Sequence, residues 1–441
     1  LDNQQQRKEG YEGRALSLVT KSGASVGDDV ILDTESGRLE GVLMPGGTRS
    51  GHSILVIKLG NGYNVGISVN RVKNITLKQK GKEPTFVPPP KPSSTTGLPK
   101  VTIIGTGGTI ASRIDYRTGG VKPALSAEEL YLLVPELSGI ADITTRAVFN
   151  IYSENLTPKH WTILSEEVSK EVNNGADGVV IAHGTDTMHY TSAALSFALE
   201  SPPVPVVLVG SQRSSDRPSS DSAINMIGAV SFAANAPFSG VFVIMRSGLG
   251  DDTLSVHSGV RVRKMHTSRR DAFQTINGKP VGIIKGTDFT IQGDLKPRVA
   301  RSKEFRAKSA FEQNVALVKV YPGMGPSMLD GLVDSGVRGV VLEGTGLGHV
   351  PRALLPSIQR AIDKGVVVAM TSQCINGAVR MTVYDTGRDL LSIGVLPLGD
   401  MLSEVALAKL SWLLGQGYNN EKVVSMMTQN LRGEMADRRA L

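Results

Sequence analysis

Among the 441 residues there is one cysteine, Cys374, which excludes an internal disulfide and any metal site built from several thiolates. Lacking distinctive neighbours, it reads as a small apolar residue, with a nucleophile as the alternative. No uninterrupted apolar run reaches the ~18 residues a spanning helix needs, and no charged-then-apolar signal segment stands at the start. A reducing, cytoplasmic setting is expected. The chain opens on Leu1 rather than Met, so one or more residues are expected to precede it. Neither histidine of HGTDTMHY, His183 or His189, makes the i,i+4 pair of a helical zinc site. A phosphate loop is missing too. GTGGTI, from Gly105, follows the apolar run VTII, but Ile110 stands where a dinucleotide fingerprint needs its third glycine, and no lysine adjoins the hydroxyl residue as a P-loop requires. What remains is a strand-to-loop turn with a bare backbone that a small ligand can approach, and Thr109 facing that space.

What is present describes an ordinary globular chain, 40% apolar and 20% charged, long enough for two or three domains. The net charge of +7 is unevenly placed. Residues 1–100 hold 14 Lys and Arg against 9 Asp and Glu, leaving 34 against 32 for the rest. Arg71, Lys73, Lys78, Lys80, Lys82 and Lys91 are its densest part, opposed within the run only by Glu83. Such a cluster suits nucleic-acid phosphates or simply protects a strand edge and linker from aggregation.

Three units are expected. In residues 1–82 a poorly ordered start of about 20 residues precedes short alternating runs, DDVILDT, EGVLMP, SILVIKLG, YNVGISV and NITLKQ. Glycine-rich turns separate them, as in a small barrel-like β domain. Residues 83–99, within EPTFVPPPKPSSTTGLPK, have Pro, Ser and Thr in place of apolar periodicity and read as a semi-rigid linker. From Lys100 the rhythm changes. KVTIIG, GVVIAHG, VPVVLVG and GVFVIMR alternate with helical patterns, SAEELYLLVPEL among them, the mark of a parallel sheet covered by helices, which gives α/β domains over 100–311 and 312–441. The stretch from Asp271 to Ala310 reads as irregular and basic, with Lys296, Arg298, Arg301, Lys303, Arg306 and Lys308.

Ligands in open α/β sheets sit outside the carboxyl ends of the strands, and the pieces GTGGTI, HGTDT and VGSQRSS fall at such ends. A threonine hydroxyl needs a base to become a nucleophile. HGTDTM supplies a second hydroxyl, Thr185, beside the carboxylate of Asp186, and VRVRKMHTSRRD supplies Lys264 among cationic neighbours. Threonine, lysine and aspartate make a proton relay of the serine–lysine kind. Taken singly, the Thr-Asp pair also reads as a helix cap and Lys264 as a surface lysine.

In combination, TGGTI, then GTDTM after a strand, then a lysine before TS..DAF, resemble the asparaginase/glutaminase family of amidohydrolases from about Lys100 onward. The resemblance implies a flavodoxin-like larger domain followed by a smaller α/β domain, and catalysis without metal or cofactor in this chain. It implies that Thr109 is the acyl acceptor, that Tyr116 orients it, and that Thr185, Asp186 and Lys264 form the relay. Ser153 and Glu154, in NIYSENL, would hold the α-carboxylate and α-amino ends of glutamine or asparagine, Glu154 sharing the amino end with Asp186, while Gly108 and Gly184 bring backbone close to the substrate. Where free members of the family often carry asparagine, this chain reads GTGLGHVP, Gly344 to Pro351, so His349 marks a departure on the partner-subunit side of the pocket.

The leading β unit and GSQRSSDRPSSD, Gly210 to Asp221, are similar to the D-subunit family of archaeal tRNA-dependent amidotransferases. That resemblance implies a homodimer within a heterotetramer, with ammonia passed to an E-subunit that uses ATP and magnesium to act on Glu-tRNA(Gln). It implies neither a membrane nor a DNA partner. The alternatives are a free-standing L-asparaginase/glutaminase and a catalytically idle scaffold, the latter disfavoured by retention of both threonines, Asp186 and Lys264.

Overall fold

A computed structural model describes residues 11–46, 53–60, 64–81, 97–107, 134–213, 220–250, 253–293, 295–298 and 304–436, with 112–114 and 121–123 described by backbone alone. The first unit pairs β1 (Asp29–Thr34), β2 (Gly37–Leu43), β3 (Ile54–Lys58), β4 (Asn64–Ser68) and β5 (Val72–Gln79) in one antiparallel sheet, ordered β4-β3-β2-β1-β5. Alternate residues such as Val30, Leu32, Leu55 and Ile57 face its core, as the period of two requires. Residues 13–22, expected within a poorly ordered start, instead form helix α1 (Gly13–Ser22), with Ala15 and Val19 buried in that core. Four residues apart, they make one apolar face. Tyr11 precedes the helix and accepts a hydrogen bond from the Val56 backbone at 3.0 Å. Folding also neutralises part of the basic cluster: Asp28, from another part of the fold, meets Lys80 at 3.0 Å, and Glu40 on β2 pairs with Lys78. Lys82 and Lys91 lie outside the described residues.

The second unit is built on an eight-stranded sheet. Its parallel part holds β6 (Lys100–Gly105), β9 (Asp142–Ala147), β10 (Gly178–Ala182), β11 (Pro205–Val209) and β12 (Gly240–Arg246), in the order β9-β6-β10-β11-β12. A separate hairpin, β7 (Ser112–Ile114) with β8 (Val121–Pro123), lies between β6 and β9 in sequence. Counted by appearance in the parallel sheet, the order is 2-1-3-4-5, the flavodoxin-like winding whose direction switches between its first and third strands. That crevice lies between the ends of β6 and β10. Both strands are buried along nearly all their length, which explains why they read as continuous apolar runs rather than alternating ones.

Helix α2 (Pro158–Asn173) starts on a proline, and the His160 ring accepts from the Thr157 backbone at 3.0 Å, satisfying an N–H that helix starts leave orphaned. Helix α3 (Met188–Ala198) follows the HGTDT loop and is buried almost all round. Helix α4 (Ser222–Asn235) covers the opposite side through Met226, Val230 and Phe232. Of the helix expected over SAEELYLLVPEL, residues 126–133 lie outside the described residues, and Pro135–Gly139 form a 3-10 turn.

The stretch expected to be irregular from Asp271 contains three strands. The sheet continues antiparallel from β12 through β13 (Thr253–Ser258), β16 (Gly282–Lys285) and β17 (Asp288–Ile291), while β14 (Val262–Lys264) and β15 (Phe273–Thr275) form a separate two-stranded ribbon. Strands of three or four residues are too short for periodicity to register. One basic residue of this stretch is an internal clamp, and others pair at the surface. Arg298 donates to the carbonyls of Ala233, Ala234, Ala236 and Asp177 at 2.5–3.1 Å, capping the carboxyl end of α4 with a cation. Lys308 pairs with Glu200 and Arg306 with Glu304.

The third unit is a parallel sheet of β18 (Val315–Lys319), β19 (Gly339–Gly344), β20 (Val367–Ser372) and β21 (Leu396–Pro397). Helices α5 (Ser327–Asp334), α6 (Leu355–Asp363) and α7 (Asp385–Ser392) pack on it through Leu329, Ile358 and Leu390. Helix α8 (Ser403–Gly415) meets α3 of the second unit, where Trp412 stacks on Phe197 with centroids 5.8 Å apart, in a core shared with Ala193, Ala194 and Leu410. Helix α9 (Asn420–Met427) closes it. Behind α8 lies an ion pair with no exposure on either side, Lys409 to Glu434 at 2.6 Å. Residues 305–309 of the connector between the units are tied down: Phe305 to Asn173, Ala307 to Ser169, Ser309 to Thr162, and the Lys308 carbonyl to the indole of Trp412.

Candidate active site

The crevice between β6 and β10 is closed at its base by Thr106, whose backbone N–H and hydroxyl both donate to the Ala182 carbonyl, at 3.1 and 2.9 Å. Gly107 follows at φ +97°, where an added Cβ would lie 2.5 Å from the Ile151 carbonyl oxygen, so only glycine fits. Thr109, Gly108 and Tyr116 lie outside the described residues.

On the β10 side, His183 is fully buried. Its ring bonds the Gly184 carbonyl at 2.6 Å and the Thr191 hydroxyl at 2.9 Å; that hydroxyl also accepts from the Trp161 indole at 3.2 Å. Burial holds His183 down to about 4, making it a neutral strut that fixes the loop to α3. Thr185 is buried, and Lys264 donates to its hydroxyl at 2.8 Å and to Asp186 Oδ1 at 2.7 Å. The Lys264 side chain is 9% exposed and that of Asp186 69%: the amine sits inside while the carboxylate faces the open side. Gly210, at the end of β11, backs this group; an added Cβ there would meet Met188 Cε at 2.6 Å and both the His183 carbonyl oxygen and Thr185 Cγ2 at 2.8 Å. Asp221 accepts from the Gln212 and Arg213 backbones and from Asn225, shaping the next loop.

Thr187 donates to the Ser153 carbonyl at 2.7 Å, so the turn that carries Ser153 and Glu154 is bonded to the loop that carries Thr185. Ser153 is buried and Glu154 exposed. His349 belongs to the third unit, where it stacks edge-on against Tyr384, 5.3 Å between centroids, and meets the Thr386 hydroxyl at 3.2 Å. The structure thus brings together Thr185, Asp186 and Lys264 and joins the turn that carries Ser153 and Glu154 to their loop through Thr187. Local sequence marks the strand-end pieces that hold His183 and Gly210 but gives no signal for the supporting roles of these residues or of Thr191, because their partners become visible only once the strands are paired. Among the described residues no group of three or more His, Cys, Asp or Glu is placed to hold a metal ion, and no helix is long and apolar enough to cross a membrane.

Residues 100–296 match the family model for the N-terminal part of asparaginase, residues 314–427 that for the glutaminase/asparaginase C-terminal domain, and residues 24–77 that for the GatD N-terminal domain. The D-subunit of glutamyl-tRNA(Gln) amidotransferase from Metallosphaera sedula is 48% identical over 434 residues, 98% of each chain, and that from Pyrococcus abyssi 49% over 429 residues, 96% of this chain and 97% of the relative. The chain belongs to the D-subunit family of glutamyl-tRNA(Gln) amidotransferases. Solved structures of L-asparaginases align with part of it. The thermostable enzyme from Thermococcus kodakarensis, 35% identical, and L-asparaginase I from Vibrio cholerae, 30% identical, each superpose with a TM-score of 0.67, covering 77% of this chain and all of theirs. This GatD-family chain therefore carries an asparaginase-type α/β body behind a leading unit of its own.

Proposed function

We infer that the chain is the glutaminase component of the amidotransferase that converts Glu-tRNA(Gln) to Gln-tRNA(Gln), releasing ammonia from glutamine for use by the E-subunit. The observation that carries this is coverage. The D-subunit relatives account for 96–98% of the chain, the L-asparaginases for 77%, and residues 24–77 match the GatD N-terminal domain.

The chemistry is addition of a hydroxyl to the side-chain amide carbon, loss of ammonia, and release of the acyl group by water. In this reading one of the two threonines, Thr109 or Thr185, is the acyl acceptor, and the 2.8 Å contact of Lys264 with Thr185 supports a relay. A neutral amine takes the hydroxyl proton and returns it to the departing nitrogen. Asp186 and Glu154 receive the α-ammonium, Ser153 the α-carboxylate, and Tyr116 orients Thr109. In the same reading the backbone N–H groups of Gly108 and Gly184 serve to stabilise a developing oxyanion. ATP and magnesium serve the E-subunit, tRNA(Gln) is engaged through the complex, and two copies of the chain pair within a heterotetramer. A cytoplasmic setting accords with a tRNA substrate.

The test is ammonia release from glutamine by the purified chain, alone and then with the E-subunit, ATP and Glu-tRNA(Gln). Strong stimulation by the complete mixture is expected. High activity alone, unchanged by the additions, would make the chain a free amidohydrolase.

A further inference from the structure

Lys264 ends a three-residue strand whose only strand partner among the described residues is β15, and a two-stranded ribbon is marginally stable by itself. Something else must hold its amine on Thr185. Side chains alternate along a strand, and residues 261–264 use that alternation. Val262 enters the core of the second unit and Lys264 enters the site. Arg261 and Arg263 turn the other way, to the third unit. Arg261 donates to Asp400 Oδ2 and to the Gly433 carbonyl, both at 2.7 Å, and Arg263 meets Glu404 Oε1 at 3.0 Å. Asp400 is itself braced, accepting from the Ala436 backbone at 2.9 Å and, through its carbonyl, from Asn277 at 3.2 Å. Glu404 lies in the first turn of α8, where a helix favours an anion, and its side chain is 5% exposed. The second Glu404 oxygen is buried without a partner; among the described residues Arg263 is the cation within 4 Å of the carboxylate, because the His189 ring at 3.9 Å is held neutral by burial.

We propose that the Arg261–Asp400 and Arg263–Glu404 pairs are positioning devices through which the third unit sets the place of Lys264. The partners of Arg261 and Arg263 are Asp400, Gly433 and Glu404, not Thr185. The pairs act by fixing the two residues that flank Val262, and so the direction in which the next side chain leaves the ribbon. A displacement of about 1 Å in a reacting group costs on the order of 10²-fold in rate. The inference rests on the relay reading of Lys264 given above.

The experiment compares Glu404→Gln, Glu404→Asp, Arg263→Gln and Lys264→Ala in the full chain within its complex, measuring kcat and KM for glutamine together with the thermal midpoint. Glu404→Gln keeps the volume and removes the charge. It is expected to lower kcat roughly 10- to 100-fold while KM moves less than about threefold, and Glu404→Asp to recover most of the loss. Arg263→Gln, at the more exposed end of the same pair, is expected to lower kcat alike and gives the reading if Glu404→Gln does not fold. Unchanged kcat in the folded charge-removing variants would overturn the proposal, as would a loss that Asp fails to rescue and that tracks the thermal midpoint. Full activity of Lys264→Ala would instead refute the relay on which it rests.

Discussion

Replacing Lys409 by methionine tests how the third unit is held together. The ammonium donates to the carbonyls of Met427 and Gln429 and to Glu434, and the Glu434 carboxylate also accepts from the Leu431 and Arg432 backbones. Burial pushes the Lys409 amine below its usual range, and Glu434 opposes that shift. Methionine fills most of the volume but leaves a carboxylate with no exposure held by backbone N–H groups alone, and two carbonyls without their donor. Removing one partner of a buried pair costs about 3–5 kcal/mol. At roughly 2–4 °C per kcal/mol for a cooperative unit of about 150–250 residues, the size of the third unit with the parts of the second that share its core, the midpoint of unfolding falls by roughly 6–20 °C. Differential scanning calorimetry reads this. The double variant Lys409→Met with Glu434→Gln should regain much of the loss, because a neutral amide still accepts from one backbone N–H and no buried charge is left. A single variant within about 2 °C of the parent, on the order of 1 kcal/mol or less, would refute the reasoning, as would a double variant worse than the single.

The relay predicts that Thr185→Val, Asp186→Asn and Lys264→Ala each lower kcat for glutamine by about 10²–10⁴-fold with folding intact by circular dichroism; normal turnover in a folded Lys264→Ala protein would remove it. Gly210→Ala places a methyl against Thr185 and the His183 carbonyl. It should cost about 1–3 kcal/mol of stability and reduce kcat, and a neutral result in denaturant titration and turnover would show that the wall behind Thr185 yields. Burial holds His183, His189 and His257 at about 4, 3 and 3, well below the unfolded value near 6.5. The unfolded chain therefore takes up these protons first, so the stability they contribute is complete above about pH 6.5 and is lost as pH falls toward 3–4. Each histidine adds about 1.4 kcal/mol per pH unit in that window, and urea midpoints that stay flat between about pH 7 and 5 would contradict it.

Burial explains what the sequence could disclose. β6, β10, β11 and β12 are covered on both faces, so each shows an apolar run, and their loops show glycine because backbone passes close to backbone, as at Gly107 against Ile151. Thr185 and Asp186 were legible because they stand directly at such a strand end. Lys264 stands out in the sequence through its neighbours in the motif and not through its strand, since three residues carry no period. Helix α1 was hidden for a related reason: two buried residues, Ala15 and Val19, are too weak a stripe to stand out beside QQQRKEG. The roles of Asp28, Glu40 and Arg298 depend on partners up to 121 residues away, a distance at which composition carries no information.

The strapped connector between the second and third units has a mechanical consequence. Bonds at Phe305, Ala307, Lys308 and Ser309 fasten it at successive points to α2, α3 and α8, and the Arg261 and Arg263 pairs bolt the same two units together on the side of the site. A clamshell motion would have to break these contacts together. The contacts therefore oppose a hinge opening between the two α/β units as a way of exposing the site.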